Sequence, residues 1–292
     1  MNYRHAFHAG SFADVVKHAA LVRILVHLCA KPAAFRVIDT HAGAGLYDLT
    51  GEEARRSGEW RAGIARLLAS EITAPVRALL KPYLDVVAAL NGAGSDSGGG
   101  LSTYPGSPAL ARALLRPQDR LLACELEPNA AAALARNLSR DRRVKAVAID
   151  GWIALNAYVP PAERRGVVVV DPPFEEAGDF TRLARGLEAA HRKWPGGIYL
   201  LWYPIKGRRE PDALARALKR SGIGKILRAE LTVAATPALG PLGGCGLIVV
   251  NPPWTLPAEL AAILPELSAI LAGAGGGHRL DWIAGEKEGP RS

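Results

Sequence analysis

At 292 residues the chain can bury a full core, and 49% hydrophobic with 22% charged residues is an ordinary balance for a globular protein. A formal charge of +8 favours a polyanionic partner. Three scattered cysteines, Cys29, Cys124 and Cys245, argue against zinc and a disulfide framework and fit a reducing cytosol; polar residues at the start and the lack of a long apolar run argue against a signal peptide and a membrane span.

In chain order, Ser11-Phe-Ala-Asp14 reads as a capping-box-like helix start, with apolar residues recurring at Val15, Val16, Ala19, Val22 and Val26 and Pro32 marking the end. Lys17 and His18 fall beside that stripe, where they can face a cleft. His5, His8 and His18 have no acid or cysteine at ligand spacing, so no metal is expected. Phe35-Arg-Val-Ile-Asp39 is a short strand, and Thr40-His-Ala-Gly-Ala-Gly45 after it holds two glycines that let a backbone turn approach a ligand. A dinucleotide fingerprint wants a third glycine at position 48, which is Asp, and a P-loop is absent. From Gly51 to about Leu90 the pattern is helical, more than one crossover needs. Residues 51–100 are therefore expected to form an inserted helical subdomain ending in a glycine-rich loop. Ser107 is expected as an N-cap, with Pro108 at the first helical position.

Later strands are plainer. Arg120–Glu125, Val144–Asp150, Gly166–Asp171, Gly197–Tyr203, Lys225–Val233 and Gly246–Asn251 join Phe35–Asp39 as seven candidates, with a short edge strand allowed at His278–Ile283. Alternation with helices predicts a parallel doubly wound α/β sheet with a hairpin-like last pair. The first four strands end in Asp39, Glu125, Asp150 and Asp171. An acid after the second strand can take a ribose diol, and one after the third can accept from an adenine amine. With no phosphate site implied, S-adenosylmethionine fits better than a dinucleotide.

Four valines in Gly166-Val-Val-Val-Val-Asp-Pro-Pro-Phe174 suit a strand buried on both faces, stopped by two prolines that lack an N–H for the ladder. A carboxylate, two carbonyls and an aromatic ring are thus presented at the sheet edge where open α/β sheets bind ligands. An exocyclic base amine is a poor nucleophile; a carboxylate and a carbonyl can orient it while the ring stacks on the base. Asn251-Pro-Pro-Trp254 closes another apolar strand, but the fourth strand is expected beside the first, which favours Asp171. Basic residues gather at Arg136–Lys145 and at Lys206–Arg220, either as phosphate contacts or as solvated helix faces.

Tyr3-Arg-His-Ala-Phe-His-Ala-Gly-Ser-Phe-Ala-Asp-Val-Val-Lys-His18, Asp39-Thr-His-Ala-Gly-Ala-Gly45, Tyr104-Pro-Gly-Ser-Pro108 and the two Pro-Pro tetrads together resemble the RlmJ family of bacterial 23S ribosomal RNA adenine-N6 methyltransferases. The resemblance runs over nearly the whole chain. It implies a seven-stranded Rossmann-like class I methyltransferase fold spanning 1–50 and 101–285, the 51–100 insertion, and a frayed tail at 286–292. It also implies a cytoplasmic monomer that uses S-adenosylmethionine and no metal, has no obligate protein partner and does not bind membranes. By matching motif, His18, His41, Ser107, Glu125, Asp150, Gly151 and Asp171 would contact the cofactor, and Asp171 would be catalytic. Tyr3, Lys17 and Phe174 would meet the target nucleotide in 23S rRNA. Phe174 departs from the Tyr usual in this tetrad, and the glycine-rich loop is long. Methylation of cytosine N4, guanine N2 or a glutamine amide, and a non-catalytic rRNA assembly factor with a vestigial pocket, remain alternatives.

Overall fold

The computed structural model describes residues 4–92, 100–233 and 242–285. A 3-10 turn (His5–Phe7) leads into α1 (Phe12–Cys29) and β1 (Arg36–Asp39). A ribbon strand β2 (Leu46–Asp48) and helices α2 (Glu52–Ser57), α3 (Arg66–Ala69) and α4 (Ala74–Asn91) precede its antiparallel partner β3 (Thr103–Pro105). Then α5 (Ser107–Leu114), β4 (Arg120–Glu125), α6 (Pro128–Asn137), β5 (Val144–Ala148), α7 (Gly151–Ala157), β6 (Gly166–Val170), α8 (Asp179–Lys193), β7 (Ile198–Pro204) and α9 (Arg209–Arg220) alternate. The elements β8 (Ile226–Thr232), β9 (Gly244–Val250), α10 (Leu256–Leu271) and β10 (Gly277–Ala284) follow.

The sheet order is β10-β8-β9-β7-β6-β1-β4-β5. Strands β7, β6, β1, β4 and β5 are parallel, β9 runs antiparallel between β7 and β8, and β10 is antiparallel to β8. All seven expected strands form, the last pair is antiparallel as expected, and the edge strand is an eighth. This is the expected Rossmann-like α/β sheet. The ribbon β2/β3 was not legible: each strand has 3 residues, too few to show a period. Since β1 lies between β4 and β6, the chain leaves it in opposite directions, and a crevice opens above its carboxyl end.

Every position of β6 is buried. Val167 and Val169 join the apolar cluster under α1 and α10, while Val168 and Val170 join the one under α7, α8 and α9. Burying each valine contributes about 1.5–3 kcal/mol, which is why four in a row mark the centre of the molecule. Helix α1 is enclosed, with the sheet on one side and α4, α5 and α10 on others. Both Lys17 and His18 are buried; Lys17 still reaches the crevice, as the sequence suggests, whereas His18 does not. Ile64, Leu67, Leu80 and Tyr83 of the 51–91 helices belong to the same apolar cluster as α1 and the sheet. Among the described residues no helix is long and apolar enough to cross a membrane.

Candidate active site

The carboxyl ends of β1, β4, β5 and β6 open into a cavity of about 870 Å³. On the β1 side the chain turns at Gly43 (φ +60°) and Gly45 (φ +78°), left-handed conformations that explain both glycines. The Tyr47 hydroxyl accepts from Ala44 N (3.2 Å) and sits where a Gly43 side chain would go. Glu125, ending β4, fastens this turn: one oxygen accepts from Gly43 N (2.8 Å), the other from Leu126 N and Glu127 N (2.8 Å each). Asp150 caps α7 by accepting from Trp152 N (2.7 Å) and Ile153 N (3.0 Å), and its second oxygen lies 3.8 Å from Arg182. Gly151 is needed because a Cβ there would overlap Thr40 O and the His41 ring. His41 takes a 2.8 Å bond between Nδ1 and the Thr40 hydroxyl, and burial pushes it down to about 4, so it is neutral near pH 7.

Ser107 is not the cap of α5; that position is Gly106. Its hydroxyl instead donates to Asp39 Oδ2 (2.5 Å) across the crevice. Burial pushes the Asp39 carboxyl up to about 6 against the pull of that bond, and its Oδ1 is buried without a hydrogen-bond partner.

Asp171 follows β6 and is joined through Oδ2 to Lys17 Nζ (2.5 Å). Lys17 also reaches Asp14 Oδ1 (2.9 Å), and Asp14 Oδ2 accepts from Gly10 N (3.1 Å) and pairs with His5 Nε2 (3.0 Å). The expected capping box is thus half realised: Asp14 reaches back to the backbone, but the Ser11 side chain makes no cap bond. Burial raises the Asp14 carboxyl, yet Lys17, His5 and His18 outweigh it and hold it well below the usual range. Burial lowers Lys17, and the two aspartates hold it well above. His18 lies behind the wall with its Nδ1 2.8 Å from the Tyr104 hydroxyl, itself 2.7 Å from that of Tyr83. Burial pushes His18 down to about 3, and its Nε2 has no hydrogen-bond partner.

The structure brings Lys17, His41, Ser107, Glu125, Asp150, Gly151 and Asp171 to one cavity wall. His18 is fully buried and does not line it. Phe174 does not line it either: with φ +51° its ring packs on Phe180 (centroids 4.9 Å) and Trp202 (5.8 Å). Tyr3 lies outside the described residues, while the adjacent Arg4 and His5 reach the cavity mouth. Sequence reasoning missed Asp14 and Tyr47 as site residues. Only the i, i+3 spacing of Asp14 and Lys17 on one helix face hinted at the first. Among the described residues no group of three His, Cys, Asp or Glu is arranged to hold a metal ion.

The second tetrad is on the other side of the sheet. Since Tyr199 pairs with Val250, β9 ends where β7 begins. Asn251 donates to Pro195 O (2.7 Å) and Gly197 O (2.8 Å), fastening the turn before β7, and Trp254 is 84% exposed. The first basic cluster is also far away: Arg142 and Arg143 precede β5, and Arg143 is held by Asp141 (2.6 Å).

The family described as ribosomal RNA large subunit methyltransferase D, RlmJ, matches residues 32–284. Over 287 residues the chain is 39% identical to the ribosomal RNA large subunit methyltransferase J of Escherichia coli K12, covering 98% of this chain and 100% of that one. The protein of the same name from Haemophilus influenzae is 37% identical over 287 residues, with the same coverage. The crystal structure of a Legionella pneumophila protein matches with a TM-score of 0.84 at 31% identity, covering 94% of this chain and 98% of that one.

Proposed function

The chain belongs to the RlmJ family of ribosomal RNA large subunit methyltransferases, and from this we propose that it methylates the N6 amine of one adenine in 23S ribosomal RNA, using S-adenosylmethionine, as a cytoplasmic monomer. The cofactor supplies an electrophilic methyl group on a sulfonium. A cavity of about 870 Å³ is of the size that holds such a molecule. Its wall has the right chemistry. A carboxylate has about four lone-pair sites. Glu125 uses three on backbone N–H groups and keeps one for a ribose hydroxyl. Asp150 has an oxygen clear of the α7 cap for an adenine amine. Ser107 and His41 line the same cavity as polar groups that the cofactor's amino-acid end could meet.

The observation that carries the reading is Asp171, on the same cavity and gripped through one oxygen by Lys17. With Oδ2 held, Oδ1 is the oxygen left to accept one N–H of the target amine, and a carbonyl of the Pro-Pro pair would accept the other. Held this way, the amine lone pair would be aimed at the methyl group that the bound cofactor would supply from its sulfonium, with the displaced amine proton passing to solvent. The Asp171 carboxylate stabilises the positive charge that develops on nitrogen. Phe174, braced by Phe180 and Trp202, would offer its remaining face to the extruded base.

The test is to incubate purified protein with S-adenosylmethionine and unmodified 23S rRNA, free and within ribosomal particles, and to map methyl groups by mass spectrometry. One N6-methyladenine, lost in Asp171→Ala, is expected. Methyl groups on cytosine N4 or guanine N2 would overturn the adenine assignment. Tight rRNA binding with no cofactor affinity would mean an assembly factor.

A further inference from the structure

We propose that the loop following β7, Ile205–Arg209, is a phosphate platform that holds the RNA backbone beside the target adenine; this rests on the RNA methyltransferase reading above. The cavity takes the ends of β1, β4 and β5, and Asp171 takes the end of β6. The next parallel strand beside Asp171 is β7, so the loop at its carboxyl end lies nearest to a polynucleotide that passes the tetrad on that side. The cavity lining carries Glu53, Glu127, Glu175 and Glu176, while its arginines face acids, Arg4 at Glu53 (3.4 Å) and Arg182 at Asp150 (3.8 Å). Lys206 and Arg209 stand on the same edge, exposed, and make no side-chain hydrogen bond or ion pair among the described residues.

The loop is built rather than loose. Ile205 exchanges backbone bonds with Gly243 (2.9 Å) and Gly244 (2.8 Å) at its base. Arg208 is pinned to Glu230 (2.8 Å) and Asp212 (2.8 Å), which holds it charged at every accessible pH. Glu230 is 2% exposed and accepts from the Tyr203 hydroxyl (2.7 Å). Tyr203 meets Phe180, which packs on Phe174 of the tetrad. A continuous aromatic and ionic strut thus fixes the loop relative to the tetrad, with two free cations at either side of its anchored arginine. The other basic cluster cannot do this, because Arg142 and Arg143 lie at the opposite edge.

The experiment compares Lys206→Glu/Arg209→Glu with Lys219→Glu/Arg220→Glu, an equal charge change at the far end of α9. RNA affinity is measured against salt, alongside single-turnover methylation, S-adenosylmethionine affinity and melting temperature. Two lost single-strand contacts lower the slope of log K against log salt by about 1.4, or about 25-fold in affinity at 0.1 M salt. This is expected for the loop variant alone, with cofactor affinity and the rate at saturating RNA retained. Equal loss in the two variants, no loss in either, or a loss confined to the rate at saturating RNA would overturn the proposal. So would a defect seen on ribosomal particles but not on free RNA, which would assign the loop to a ribosomal protein. If the unaltered protein neither binds nor methylates rRNA, it is the reading of function that falls.

Discussion

Lys17→Met tests the ionic chain behind Asp171 most directly. Methionine keeps the length of the stem and removes the charge, leaving Asp14 and Asp171 without the cation that sits 2.9 Å and 2.5 Å from them. Breaking a buried pair by removing one partner costs about 3–5 kcal/mol. At roughly 2 °C per kcal/mol for a chain of this size, the melting temperature should fall by about 6–10 °C. The sign of the pH dependence is the sharper test. In the unaltered protein Asp14 is held well below its unfolded value, so it contributes stability above about pH 4 that is lost as pH falls through its folded value. Without Lys17, burial dominates and pushes Asp14 above its unfolded value, so the variant loses stability as pH rises past about 4. The difference between the two proteins should therefore be largest near pH 8 and shrink toward pH 4. Urea denaturation across that range measures it, and a difference that does not change with pH would refute the reasoning. Adding Asp14→Asn should restore part of the stability but not the turnover, since Asp171 still lacks its grip.

Asp171→Ala should lose about 10²–10³ in single-turnover rate with little change in melting temperature, because Lys17 keeps Asp14; Asp171→Asn should fall between, and near-normal turnover by the alanine variant would sink the catalytic role. Phe174→Ala should cost roughly 1–3 kcal/mol of stacking, some five- to 150-fold in RNA turnover, while Trp254→Ala should leave the chemical step intact; the reverse outcome in single-turnover assays would mean the wrong tetrad carries the base. His41, pushed down to about 4, holds fewer protons folded than unfolded below pH 6.5, so stability is lost as pH falls through that window, at most about 1.4 kcal/mol per pH unit. His41→Asn should flatten the melting profile between pH 4 and 6.5, and an unchanged profile counts against a buried neutral imidazole.

The sheet was legible because its strands announce themselves. The valine run before Asp171 suits a strand buried on both faces, and acids at four strand ends mark one edge of the sheet. The enclosure of α1 was not legible, since helical periodicity reports one apolar stripe and cannot say how many neighbours cover the rest. His18 therefore looked like a cleft residue beside Lys17, whereas it is wholly enclosed and only Lys17 reaches the cavity. Ser107 is a similar case. Ser-Pro before a helical pattern reads as a cap, but the hydroxyl is drawn one position into the helix by Asp39, 68 residues away in sequence.

The two Pro-Pro tetrads show which property of a strand a local pattern does not carry. Each closes a buried apolar strand with an acceptor, two prolines and an aromatic ring, and the patterns differ in little else. Strand direction separates them. Because β9 is antiparallel to β7, its carboxyl end emerges at the edge where the parallel strands begin, away from Gly43, Glu125 and Asp150. There the side-chain amide of Asn251 satisfies the carbonyls of Pro195 and Gly197, a role that fills its donors and leaves none for a substrate. Asp171 faces the opposite situation: it is anchored through one oxygen by a lysine from a helix 154 residues earlier in the chain, on the wall of the cavity, which is what supports the catalytic role we propose for it. The same four-residue grammar thus fastens a turn in one place and lines a cavity in the other, and the difference is made by what the fold places around the first side chain.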